Sequence, residues 1–299
     1  MKALKIIFVL FLAIGMTSCY GDYIVDNDFS STGFVLAHPL RTVIADRDME
    51  IYVGVAIGGK RAVDMKDWAT FEIYPDSVPT GYSLLPANYY TLSDPNTMRV
   101  RKSNLPVADV GIKFTEDFYN DTKAVGKYYV LPFRITGSSL DSIRDGADIS
   151  VVAIKFISTF HGTYYLKGTI EEYDFATGAV NATTIYDKND LINNITCNLT
   201  TVSRNVLTRT IANSVSTSAD KLQLTFEVNN SIEKTYNVLL QAASTTFTLI
   251  SGSATYYGDK DQPEIELSYS YSKSGKYYRV KETMVLRQDP EYDLRVETW

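Results

Sequence analysis

Leu222-Gln223-Leu224-Thr225-Phe226-Glu227-Val228-Asn229 alternates apolar with polar side chains over its whole length. Successive side chains of an extended chain point to opposite faces, so this stretch has one apolar and one polar face as a strand and no clean face as a helix. The same period of two runs through Met49, Ile51, Val53, Val55 and Ile57, through Val110, Ile112 and Phe114, and through Ile265, Leu267, Tyr269 and Tyr271. Each reads as a strand of an antiparallel sheet with one face on a core. From Ile149 to Ile157 the chain is apolar on both faces, which predicts a central strand covered on both sides.

Turn signals separate these runs at Gly58-Gly59, Pro75-Asp76, Asp94-Pro95-Asn96, Asp145-Gly146, Gly258-Asp259 and Ser274-Gly275. Their spacing, about ten residues or a little more, is that of sandwiches and barrels. Helical periodicity is nearly absent, with Asp187 to Asn193 reading as a short helical turn. The expected fold is all-β: an immunoglobulin-like β-sandwich over residues 32–159, then a second antiparallel β domain over residues 160–299, closing as a barrel or stacking as a sandwich. The boundary is placed near Ser158 to Gly162, where the two-faced strand ends.

The first eighteen residues have a different plan. Lys2 and Lys5 precede an apolar run from Ile6 to Ile14, and small or modest residues follow up to Cys19. The run is too short for a membrane span and fits a secretory signal peptide over residues 1–18. Its end resembles a bacterial lipobox, in which the cysteine becomes the lipidated first residue, so Cys19 is the expected acylation site and residues 19–31 a tether. Acyl chains hold a protein to a membrane without any spanning helix.

The chain carries 29 basic and 35 acidic side chains, and the leader removes two lysines and no acid. Its basic residues are scattered among acids, which excludes the clustered cations that nucleic-acid binding needs. The cysteines are Cys19 and Cys197, so lipidation of Cys19 leaves no intramolecular disulfide, and stability must come from buried apolar surface. Tyrosine is in surplus, 22 against 13 phenylalanines, with tandem pairs at Tyr89-Tyr90, Tyr128-Tyr129, Tyr164-Tyr165, Tyr256-Tyr257 and Tyr277-Tyr278. On a strand each pair sends one ring inward and one toward solvent.

Pro86-Ala87-Asn88-Tyr89-Tyr90-Thr91-Leu92 and Tyr128-Tyr129-Val130-Leu131-Pro132-Phe133-Arg134-Ile135 resemble the N-terminal domain of a Bacteroidetes surface-lipoprotein family, domain of unknown function 1735. Arg287-Gln288-Asp289-Pro290-Glu291-Tyr292-Asp293-Leu294, with Trp299, resembles its frequent partner, domain of unknown function 4361. The resemblance implies a lipid-anchored protein of the outer membrane, at the cell surface beside a glycan importer, with a role in polysaccharide utilisation. Some relatives carry the first domain ahead of a chitinase-like barrel. The Asp-x-x-Asp-x-Asp-x-Glu signature of that class is absent here, and the second half is too short for a barrel that takes about 250 residues.

Nucleophilic catalysis needs a histidine beside the nucleophile, and His38 and His161 stand in no such motif. No zinc-ligand spacing is present, and no catalytic residue, metal or cofactor is expected. Glu171, Glu172, Asp259, Asp261, Glu264 and Glu266 are the carboxylates available to a glycosidase, and they read as solvated strand ends. The five Asn-x-Ser/Thr sequons read as polar loop and edge residues, since the lipobox points to a bacterium. Sugar binding asks only for aromatic faces with polar rims, which Tyr and Trp supply. Trp68 and Tyr82, in loop-like stretches, and Tyr89, Tyr165 and Tyr257, from the tandem pairs, are the expected ligand-binding residues; Trp299 is expected to pack on a strand. The leading expectation is a non-catalytic glycan-binding surface protein. A structural or adhesive module binding a protein partner is the alternative, and a glycoside hydrolase stands third.

Overall fold

The computed structural model describes residues 29–60, 65–102, 105–212, 220–227 and 234–299. The leader, Cys19 and most of the tether lie outside the described residues, as do Val228 and the sequon at Asn229. The described residues form a nearly all-β fold. The first sheet is built from β1 (Ser31–Gly33), β2 (Pro39–Ile44), β3 (Glu50–Gly58), β4 (Trp68–Ile73), β5 (Ser83–Leu84), β6 (Tyr90–Leu92), β7 (Thr97–Val100), β8 (Val107–Phe114), β9 (Tyr129–Ser138), β10 (Ser142–Ile143) and β11 (Ile149–Ile157). The second follows as β12 (Gly162–Tyr173), β13 (Val180–Tyr186), β14 (Thr196–Ser203), β15 (Val206–Thr210), β16 (Lys221–Glu227), β17 (Thr235–Ala242), β18 (Thr248–Tyr257), β19 (Glu264–Lys273) and β20 (Lys276–Leu286). A last strand, β21 (Glu297–Thr298), returns to the first sheet beside β2. The expected turn after Asp187 is a 3-10 turn at Leu191–Asn193. Among the described residues no helix is long and apolar enough to cross a membrane.

The first sheet is mixed, in the order β10-β1-β3-β8-β7-β4-β9-β11-β2-β21, with parallel pairs β1–β10, β2–β11 and β5–β9. Alternate residues of β3, β8, β9 and β11, among them Val53, Val110, Phe133 and Ile154, share one core, so the sheet folds over on itself as a sandwich. Strand β11 is buried on both faces because a second cluster of Leu40, Val130, Val151 and Ala153 covers its outer side, with Tyr82 and Trp299 packed over it. The Trp299 indole donates to the carbonyls of Pro39 (3.1 Å) and Val151 (3.2 Å), so Trp299 caps the first sheet.

In the second sheet β12 pairs with β14 at its start and with β20 along its length, which closes eight antiparallel strands into a barrel; β13 extends it as an outer edge. The barrel alternative of the sequence reading is the one the chain adopts. Gly168 makes the closure sterically possible, since a Cβ there would lie 2.2 Å from the carbonyl oxygen of Lys281. An eight-stranded barrel is just wide enough for its own side chains. Tyr164, Leu207, Leu224, Ile265, Leu267 and Met284 fill it, together with a buried ion pair of Arg209 and Glu282. Arg209 Nε also donates to the Thr210 carbonyl (3.0 Å), and the Tyr186 hydroxyl donates to Glu282 (2.8 Å). Burial opposes the Arg209 charge, and the Glu282 carboxylate outweighs it, holding the guanidinium above its usual pKa. Burial likewise pushes the Cys197 thiol up to about 11.

The two sheets meet through charged clamps and one aromatic plug. Asp46 and Asp48 bracket Arg47 in a turn with positive φ (65° and 45°), a conformation that Asp tolerates better than most residues. That turn aims Arg47 at Asp289 (2.6 and 2.8 Å) and Asp46 at Arg204, which also pairs with Glu116. Phe160, in the link between β11 and β12, stacks on Phe226 at the barrel mouth (3.9 Å, 7°) and meets Tyr256 edge-on (5.0 Å).

Candidate functional site

Because side chains occupy the barrel interior, a ligand site on the barrel must be external. Antiparallel register fixes which outward side chains are neighbours. Tyr257 pairs with Glu264, Glu264 with Val285, and Val285 with Tyr165, so four strands carry one row across the outer face. The next row is Thr255, Glu266, Thr283 and Lys167, and the one after it Ser253, Ser268, Lys281 and Thr169. At a strand spacing of about 4.8 Å the first row extends about 14 Å along the sheet. Asp187 and Leu191, which follow β13, overhang these rows, and the result is an open groove of about 900 Å³.

The lining is polar on every strand. Lys260 pairs with Glu264, reaches Glu266 at 4.0 Å and stands over the Tyr257 ring at 4.7 Å. Lys167 pairs with Asp187 at 2.9 Å. The Glu264 side chain is held at 17% exposure, whereas Glu266 is 54% exposed and presents its oxygens to the groove. Serine and threonine hydroxyls, carboxylates and ammonium groups here offer both donors and acceptors. A polyhydroxylated ligand matches that set. Among the described residues no group of three His, Cys, Asp or Glu could hold a metal ion.

Of the expected ligand residues, Tyr165 and Tyr257 stand at the two ends of the row whose middle members, Glu264 and Val285, line the groove; neither ring is itself part of the lining. Trp68, Tyr82 and Tyr89 belong to the first sheet and do not share it. Trp68 is half-buried at the start of β4, while Asp64 of its loop lies outside the described residues. Tyr82 has its ring face against Trp299 (4.4 Å). Tyr89 packs edge-on against Phe118 and Tyr129 and donates its hydroxyl to Asp121 (3.2 Å). The tandem rule holds on the barrel strands, where Tyr164 and Tyr256 point in and Tyr165 and Tyr257 point out. It fails at Tyr89-Tyr90, because Ala87–Tyr89 is a 3-10 turn and both rings lie against the first core. Glu264 and Glu266 were legible as carboxylates; the Ser268, Thr283 and Lys281 of the groove carried no signal beyond their place on the polar side of an alternating strand.

A smaller cavity of about 380 Å³ lies between the sheets, with Lys155, His161, Asn198 and Arg295 in its lining. His161 Nδ1 accepts from the Thr201 backbone N–H (3.3 Å), and burial, followed by the Lys155 charge, holds its pKa below the usual 6.5. The unfolded chain therefore takes up this proton first as pH falls. His161 contributes stability in full above about pH 6.5 and loses it as pH drops toward its lowered native value. Urea midpoints taken from about pH 7.5 to about pH 5.5 should fall more steeply for the wild type than for His161→Gln. Parallel slopes would show that this imidazole plays no part.

The fold and groove define a two-sheet, all-β protein with an external polar site on a closed barrel. A family model described as an N-terminal domain matches residues 25–142, whose described strands all belong to the first sheet. A solved structure of a protein of unknown function from Bacteroides ovatus is similar over 92% of this chain and 100% of its own, at 20% identity and a TM-score of 0.71. It shares the fold. Weaker likenesses are a multidomain protein including DUF1735 from Bacteroides ovatus (14% identity, 91% and 100% covered, TM-score 0.44) and an auxiliary nutrient binding protein from Bacteroides thetaiotaomicron (13% identity, 87% and 95% covered, TM-score 0.42). No curated protein matches the chain.

Proposed function

We propose that the protein binds a glycan, without cleaving it, on the outer face of its barrel. The observation that carries this reading is a groove floored by hydroxyls and charges, with Tyr165 and Tyr257 set by register at the two ends of its bordering row. Tyrosine rings offer a flat apolar face to a pyranose, and the polar rows satisfy its hydroxyls. A glycosidase acid needs an apolar surrounding that keeps its proton. Glu266 stands open to water and Glu264 is tied to Lys260, which suits recognition better than proton transfer. The leader that precedes Cys19 supports display from a lipid anchor at the outer cell surface, and the family resemblance supports work beside a glycan importer.

Affinity electrophoresis against plant and host polysaccharides tests the reading. Retardation by at least one of them is expected, weakened about tenfold by Tyr257→Ala or Tyr165→Ala, the size of effect that one aromatic platform carries. Unretarded migration across a broad panel would overturn it. A protein-binding role has one observation in its favour: β13, Val-Asn-Ala-Thr-Thr-Ile-Tyr, is an exposed, uncharged edge strand of the kind that accepts a partner's strand.

A further inference from the structure

The outer face of the barrel continues beyond the groove. Residues Tyr165 to Tyr173 of β12 pair with β20 without a register break, so every second residue keeps to the same face. At the far end of that face Tyr173 pairs with Tyr277. Their rings lie 6.1 Å apart, and Phe175 stacks on Tyr277 at 4.7 Å and 26° while remaining 59% exposed. This second platform is held in place. Arg279 lies over Tyr173 at 4.2 Å and donates to the Gly178 carbonyl (2.9 Å), and Asp174 accepts from the Thr177 backbone and hydroxyl (2.7 and 2.8 Å). The turn that carries Phe175 is thus fixed before any ligand arrives.

Tyr165 and Tyr173 lie eight residue steps apart along the strand, about 27 Å at the usual rise. Between the two aromatic ends β12 and β20 carry hydroxyl and charged rows, Val285 stands at the Tyr165 end, and the exposed Ile185 of β13 lies beside Thr169. From this spacing we infer that the ligand of the barrel face is an extended chain of several sugar units lying along β12 and β20, with separate aromatic platforms for its two ends. This rests on the glycan-binding reading and adds the size and direction of the ligand. A monosaccharide or disaccharide would engage one platform alone.

The test is calorimetry of the mature, leader-free chain against xylo-, manno- and malto-oligosaccharide ladders running from disaccharide to octasaccharide. Affinity for the recognised ladder should rise with length and level off once a chain reaches both platforms. Phe175→Ala combined with Tyr277→Ala should remove the gain of the longer chains, about tenfold, and leave disaccharide binding at the Tyr165 and Tyr257 end unchanged. Phe175→Leu keeps apolar bulk without a flat ring and should lose part of the same gain, with its far-ultraviolet spectrum unaltered. Affinity independent of length, or an equal loss for short and long chains in the double variant, would overturn the extended-chain inference while sparing glycan binding. If no ladder binds and the polysaccharide panel is silent too, both readings fall.

Discussion

Replacing Glu282 by Gln is expected to destabilise the barrel by about 3–5 kcal/mol, the usual cost of breaking a buried ion pair by removing one partner. Arg209 and Glu282 are almost wholly buried, at 1% and 4% exposure, so neither can turn to water when its partner is lost. Glutamine keeps the shape and leaves the guanidinium as an unbalanced charge among Tyr269, Tyr186 and Cys197. Chemical denaturation should report the loss directly, with a melting temperature lower by about 10 °C for a body of this size. The paired change Arg209→Met with Glu282→Leu should recover most of it, since replacing both partners by apolar groups removes the stranded charge. A single variant within about 1 kcal/mol of wild type would mean that water reaches this pair.

Phe160→Ala carries the second large effect. Its ring is 3% exposed and stacked on Phe226, and truncation of such a ring opens a cavity costing about 3–5 kcal/mol. The Phe160 carbonyl also accepts from the Tyr164 hydroxyl (2.8 Å), so the link between β11 and β12 is fastened to the barrel by ring and backbone together. Without the ring, amide exchange should accelerate along β16 and β17 near Phe226 and Tyr236, while the first sheet keeps its protection. Phe160→Leu should cost less than half as much, because it refills most of the space. Equal exchange in both variants would show that the ring is not the plug.

Strand identity was legible because period-two alternation is local. Leu222 to Phe226, Met49 to Ile57 and Ile265 to Tyr271 each declare a face without help from the rest of the chain. Closure was not legible. It depends on β12 meeting β20 across more than a hundred residues, and Gly168, whose missing side chain permits that approach, looks like any other glycine in a sequence. Arg209 was a readable anomaly, a charge on the apolar side of Leu207, Arg209 and Ile211, yet its partner came from β20, across the barrel interior and more than seventy residues on. The site shared this limit. Tyr165 and Tyr257 were recognisable as outward rings of tandem pairs, but their common row is a property of register through β19 and β20. Phe175 escaped notice because its value comes from a turn ordered by Asp174 and Thr177.

The return of β21 to the first sheet, sealed by Trp299 against Tyr82 and His38, means that the polypeptide travels out to the barrel and comes back. Two covalent crossings, one through Phe160 and one through Asp289, moor the barrel as two ropes moor a boat, and the Arg47 and Arg204 clamps tighten the mooring. A body on a single rope can spin freely; this one keeps its heading. Whatever meets the face of β12 and β20 therefore arrives at a fixed bearing relative to the first sheet, and that bearing is set by the fold itself.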